Sequence, residues 1–313
     1  MNKIFVKGLI LSAFFCLLGC GQKEETYQLK DFQAMSLLGD SLKIPNRSAE
    51  QLAALEANLN EAQANYEADP SEMNTIWLGR RYAYLSDYRK AIEVFSDGLK
   101  QYPDSHKLYR HRGHRYISLR EFNKAIADFK KAHELMPKGV MDTEPDGAPN
   151  RLNIPLSNTQ FNILYHYALA HYLKAEFDKA EPIYRECMEY SKNPDLIVAT
   201  ADWLYMTLKR QGKSEEANEV LGLINADMEI IENDSYLKRL LMYKGELPVE
   251  ELFKTDNEDV ALSLATQGYG VANWYLYNGD TARAKQILAD VLDGTSWAAF
   301  GYIAAEADMN RLR

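Results

Sequence analysis

The residues best equipped for chemistry crowd into one stretch of the chain. All six histidines lie between positions 106 and 171. His111 and His114 fall three apart, and His166 and His171 lie further on. Two histidines on one helix face hold a metal ion when further ligands join them. Here Arg112 and Gly113 separate the first pair, no acidic residue stands at ligand spacing, and no Cys is near. The pattern of two His flanking a Glu is absent as well, so no metal and no cofactor is expected. Nor is there a Gly-x-Ser-x-Gly elbow, a phosphate-binding loop or a dinucleotide fingerprint. Paired carboxylates in an acidic chain single out nothing, and no catalytic residue is assigned. Asp202-Trp203 with Tyr165 and His166 is the one place to look for a polar, enzyme-like pocket. What remains is a binding cluster. Lys107, Arg110 and His114, spaced by three and four, share one helix face. Their sign opposes the net charge of −9.

The totals limit what such a face can serve. An apolar fraction of 46% and a charged fraction of 26% are globular values. The negative balance excludes nucleic acid, whose binding needs surplus Lys and Arg. At the N-terminus, Lys3 and Lys7 precede an apolar run from Gly8 to Leu18 broken only by Ser12. That run is too short to span a bilayer as a stable helix. It has the build of an export signal, a segment expected to be removed from the mature chain. Leu17-Leu18-Gly19-Cys20 resembles the lipobox of bacterial lipoproteins. The resemblance implies cleavage after residue 19 and lipidation of Cys20, palmitate included. It also implies a lipid anchor, here assigned to the outer membrane and compatible with surface exposure. Gly21-Gln22-Lys23-Glu24-Glu25 is similar to the short export signal of surface lipoproteins in the Bacteroidota. The processed chain would keep 34 Lys and Arg against 45 Asp and Glu, a charge of −11. Cys187 would be its one free thiol, so packing rather than a disulfide must stabilise it.

The elements that position the basic face follow from a repeat. Gly79 pairs with Gly113, Tyr82 with Tyr116, Ala91 with Ala125, Phe95 with Phe129 and Pro103 with Pro137, always 34 residues apart. The pattern Leu78-Gly79-x-x-Tyr82, Ala91-x-x-x-Phe95, Pro103 resembles the tetratricopeptide repeat, although its usual opening Trp is Thr75 or Tyr109 here. Gly and Ala let paired helices approach, aromatics fill between layers, and Pro ends each unit. Looser copies follow at Ala168 with Ala180 and Tyr184, at Gly212 with Ala217, and at Gly279 with Ala284, with a degenerate pair between the last two near Tyr236 to Phe253. Cys187 falls at the small-residue position held by Ala132 one unit earlier, which makes it a packed, inert thiol. The fold expected is all-α, a right-handed tetratricopeptide-type α-solenoid of about five helix pairs with a C-terminal capping helix at 296–312. Its parts are a signal peptide (1–19), a lipidated tether (20–47) and an N-terminal docking helix (48–70). Two well-formed units (71–137), a long inserted loop (138–160), and three or so degenerate units with the cap (161–313) follow. Ser48 and Gln51 have capping-box spacing for the docking helix.

The inserted loop carries Asp142, Asp146, Arg151 and Asn153 as binding candidates. Val140, Met141, Leu152, Ile154 and Leu156 suggest that it packs back onto the array. By the family resemblance, Arg80, Lys107, Arg110, His114, Asn162, Tyr165 and Asp202 line a concave groove, basic in its N-terminal half. The function expected is a lipid-anchored envelope scaffold, without enzyme activity, that takes a protein or peptide partner with an acidic segment into this groove. The alternative is a small-molecule or glycan receptor built from the loop and the groove tyrosines. Contact with the membrane is expected through the lipid alone.

Overall fold

The computed structural model describes residues 32–147, 149–253 and 260–313. The signal segment, Cys20 and the first part of the expected tether lie outside these residues. From Phe32 onward the chain is no longer a tether, which corrects the boundary drawn at residue 47. Strands β1 (Phe32–Met35) and β2 (Ser41–Lys43) form an antiparallel hairpin. Its turn passes through Gly39 at φ +99, and the Ser36 hydroxyl accepts from the amides of Leu38 and Asp40. Strands of four and three residues give no readable alternation, so this element left little trace in the sequence.

Helix α1 (Ala49–Ala68) opens on a complete capping box: Ser48 Oγ accepts from Gln51 N, and Gln51 Oε1 from Ser48 N, both at 3.1 Å. Helix pairs follow: α2 (Glu72–Tyr84) with α3 (Tyr88–Gln101), and α4 (His106–Ser118) with α5 (Phe122–Leu135). Next come α6 (Thr159–Leu173) with α7 (Phe177–Tyr190), and α8 (Pro194–Arg210) with α9 (Ser214–Leu221). The series ends with α10 (Asp234–Tyr243) and the single turn α11 (Val249–Leu252), α12 (Val260–Tyr277) with α13 (Thr281–Leu292), and α14 (Phe300–Arg311). Among the described residues that makes six pairs, one of them reduced, rather than about five.

The repeat chemistry works as its residue types require. Side-chain oxygens of Ser71, Ser105, Asn158 and Asn193 cap the first helices of the first four pairs. The small residues Ala91, Ala125, Ala180, Ala217 and Ala284 on the second helices are wholly buried. A Cβ on Gly79 would lie 2.2 Å from the Phe95 ring, and one on Gly113 3.0 Å from Phe129. Each pair turns through one left-handed residue: Ser86, Arg120, Ala175, Gly212, Gly245 and Gly279, with φ between 59° and 91°. Such a residue closes the tight turn that sends the second helix back along the first.

The last helix does more than cap the final pair. A Cβ on Gly301 would meet the Ala265 carbonyl oxygen at 2.1 Å, so α14 crosses α12 almost backbone to backbone. From there α14 reaches back into the array. Glu306, fully buried, accepts from Arg120 Nη2 (2.7 Å) and Nε (3.1 Å) and from the Leu37 amide (2.6 Å). Asp308 receives both Nη atoms of Arg210 and the Tyr269 hydroxyl. Arg311 donates to the Leu173 carbonyl at the end of α6, and the Trp297 indole donates to Lys43 O of the hairpin. The first and last elements are thereby joined. Two of the tyrosines belong to this interior: the hydroxyls of Tyr172 and Tyr269 meet at 2.7 Å, and Asn273 donates to Tyr172. Cys187 is fully buried, and burial pushes its thiol up to about 12, so no thiolate forms near neutrality.

Candidate functional site

Ser105 caps α4, and its Oγ takes the Leu108 amide at 3.0 Å. This helix carries seven basic residues between His106 and Arg115, and its periodicity sends them to different faces. Arg112 goes to the packed side, where it is bidentate to Asp128 at 2.7 Å and donates to Ser96. Lys107, Arg110, His111, His114 and Arg115 gather on the side that faces the inserted loop and α14.

The loop is ordered by its asparagines. Asn150 Oδ1 accepts from the Leu152 and Ile154 amides, and Nδ2 donates to Ile154 O and Glu232. Asn158 bridges to Thr143 and donates to Tyr190 O, while Asn193 donates to Leu156 O. Residues 142–144 are thereby held extended against α4. Asp142 pairs with Lys107 at 2.5 Å, and Glu144 pairs with Arg110 at 3.0 Å. Alternate residues of an extended segment share a face, which is why two acids two apart reach one helix side. Glu144 was absent from the sequence candidates. The Asp142-x-Glu144 spacing was its only signal, and helical periodicity could not reveal it.

The remaining expected groove residues are placed as follows. Arg80 donates Nη1 to Pro145 O (2.8 Å) and Nη2 to the Tyr84 hydroxyl (3.1 Å), with its guanidinium 4.3 Å over the Trp77 ring. The His114 ring lies 4.4 Å from that of His166 and 5.3 Å from that of Phe300. Asn162 donates to Glu144 and Ser157. The Tyr165 hydroxyl meets that of Tyr236 at 3.0 Å, and the residue is 5% exposed. Asp202 is fully buried in an ion pair with Arg239. Burial pushes its carboxyl up to about 6 despite that partner. The expected groove is therefore filled beyond the first two pairs, by α10 and by Phe300 of α14, rather than open along its length. Asp202 and His166 do not form an acid–base pair: Asp202 is held by Arg239, and His166 Nδ1 by the Asn162 carbonyl at 2.5 Å.

The loop candidates divide. Asp142 is engaged as described, whereas Asp146 has one buried carboxylate oxygen without a partner among the described residues. Arg151 is exposed, and Asn153 is exposed with a left-handed φ of 53°. Val140, Met141, Leu152 and Ile154 are also exposed, close to half of each surface, so the apolar half of the loop does not pack onto the array. Leu156 alone of that set is half-buried.

Burial and the nearby guanidinium groups hold His111 and His114 well below the ordinary histidine value, and His166 likewise. All three are neutral near pH 7. No cluster of three or more His, Cys, Asp or Glu among the described residues could hold a metal ion.

Paired antiparallel helices, a 34-residue phase, Gly–aromatic crossings and buried second-helix alanines define a tetratricopeptide-type array. Its own loop and last helix occupy the inner face. No family pattern matches the chain, and no curated protein does. Three solved structures illustrate what it is similar to. YrrB, a TPR protein with an unusual peptide-binding site, is 13% identical, with 74% of this chain and 91% of that one covered at a TM-score of 0.42. MamA MSR-1 C2 is 16% identical (55% and 97% covered, TM-score 0.34). A chain of the APC/C hetero-tetramer Cut9–Hcn1 is 12% identical (78% and 57% covered, TM-score 0.39).

Proposed function

We propose that this chain is a non-enzymatic scaffold of the bacterial envelope, anchored to the outer membrane by lipid on Cys20. Its partner is a protein or peptide with an extended acidic segment, taken by the basic face of α2 and α4. One observation carries the reading. The face already holds such a segment, residues 142–144, with carboxylates two residues apart on Lys107 and Arg110. A partner of the same pattern would displace it, and the exposed Val140, Met141, Leu152 and Ile154 would offer apolar contact beside the charges. Because the loop is tethered, it competes at high effective concentration, so only a well-matched segment wins.

A synthetic peptide spanning residues 139–147 tests this directly. It should bind a chain carrying Asp142→Asn and Glu144→Gln about tenfold or more tighter than the unaltered chain. Lys107→Glu with Arg110→Glu should abolish both that binding and capture of envelope partners identified by mass spectrometry. Equal peptide affinity in all three chains would dismiss the reading. For the anchor, a clickable palmitate analogue should label the chain in cells and fail to label Cys20→Ser.

A further inference from the structure

Around the Arg110–Glu144 pair lies a cavity of about 140 Å³ whose charge does not balance. That is far above the ~10–15 Å³ needed for a single water, so it admits a group of several heavy atoms. Arg80, Arg110, Arg115, Tyr84, His111 and Glu144 line it. Glu144 is its only carboxylate among the described residues, and it is divided between Arg110 and Asn162. Among the described residues, Arg80 is hydrogen-bonded to neutral oxygens, those of Pro145 and Tyr84. Arg110 is 7% exposed, and its buried Nε donates to nothing among the described residues. Half-buried Arg115 has no hydrogen-bond acceptor there either; its guanidinium rests 5.3 Å from the Tyr88 ring.

Three guanidinium groups face one carboxylate in the lining; Arg110 is buried while Arg80 and Arg115 are half-buried, and buried charges ordinarily come paired. Burial brings Arg115 down to about 10, and the neighbouring Arg110 and Arg80 push the same way. The neutral histidines add no compensating charge. Gly147 packs closely on two of the lining residues: a Cβ there would fall 1.7 Å from the Tyr84 hydroxyl and 2.5 Å from Arg80 Nη2.

We infer that this cavity is a binding site for a small free oxyanion, the phosphate or carboxylate group of a soluble molecule, held by Arg80 and Arg115 with Glu144 as built-in competitor. Guanidinium forks match both anions in geometry as well as charge. The inference goes beyond the preceding proposal, since it needs no protein partner and turns on Arg80 and Arg115 rather than Lys107.

Isothermal titration of the purified chain with inorganic phosphate, and separately with succinate, in a chloride background tests it. One saturable site for either anion is expected, and the preferred anion identifies the source. Arg115→Gln and Arg80→Gln should each weaken binding at least tenfold with unchanged circular dichroism; Glu144→Gln should tighten it about tenfold. Asp142→Asn should leave it unchanged while improving binding of the 139–147 peptide, so the two proposals fail separately. If Arg115→Gln does not fold, Arg80→Gln carries the comparison. Saturable binding of neither anion, binding only of peptides with a free terminal carboxylate, or anion binding indifferent to both arginine changes overturns the inference.

Discussion

Glu306 sits without solvent on α14 and takes hydrogen bonds from a guanidinium 186 residues away and from the Leu37 amide. Breaking a buried ion pair by removing one partner costs about 3–5 kcal/mol, because the other charge is left uncompensated. Glu306→Ala should therefore lower the urea midpoint by a corresponding amount; an unchanged midpoint would mean that water relieves Arg120. Buried His111 and His166, with half-buried His114, shape the response to acid. His111, His114 and His166 are depressed below about 6.5, so the unfolded chain holds more protons below that pH. Their contribution is fully present above about pH 6.5 and is lost as pH falls, by up to about 1.4 kcal/mol per pH unit for each. Asp202, raised to about 6, acts in the opposite sense, its contribution fading as pH rises through that value. Three groups outweigh one. Urea midpoints at pH 7.5 and 5.5 should fall in that order, and a flat profile would contradict the burial of the rings. At this scale the sequence exposed Lys107, Arg110 and His114 through their spacing. Glu144 and Phe300 stayed hidden because their partners lie in elements distant along the chain.

Within each helix pair, the spacing constraint falls on glycine where the helices cross. Gly79→Ala would press a methyl to 2.2 Å from Phe95, whereas Gly113→Ala reaches only 3.0 Å from Phe129. Overpacking of this kind costs roughly 1–3 kcal/mol, so the first change should destabilise more than the second in thermal unfolding. The reverse order would show that Phe95 moves aside more easily than its counterpart. The six left-handed turn residues explain how degenerate pairs persist after the side-chain pattern has faded. Gly212, Gly245 and Gly279 mark three successive turns, and Gly245 locates the pair that helix periodicity left vague. The docked hairpin escaped notice for a different reason. Gln33, buried to 1%, joins Arg89 through two hydrogen bonds that no local pattern announces.

Among the described residues, α14 ties together helix pairs that lie far apart in the chain. A simple solenoid has contacts only between neighbouring units, and its ends act independently. Here the hairpin, Arg120, the end of α6 and α12 all meet the final helix. A chain ending at Ala299 should therefore lose cooperativity along its length. Hydrogen exchange in α4 and α6, around His114, Tyr165 and His166, should speed up although these helices lie far from the deletion in sequence. Faster exchange confined to α12 and α13 would instead describe an ordinary terminal cap.

The sequence by itself determined the helix pairs, their 34-residue phase, the capping box at Ser48 and the small-residue crossings, because these depend on contacts within about one repeat length. It also marked the inserted loop and the basic run on α4 as the places to look for binding. Only the tertiary structure decided that the loop's own acids neutralise Lys107 and Arg110, that Arg115 stays without an acceptor among the described residues, and that Phe300 fills the inner face. Those outcomes rest on pairings between segments tens to hundreds of residues apart. Residue periodicity records which face of a helix turns inward, but not which distant segment will cover it.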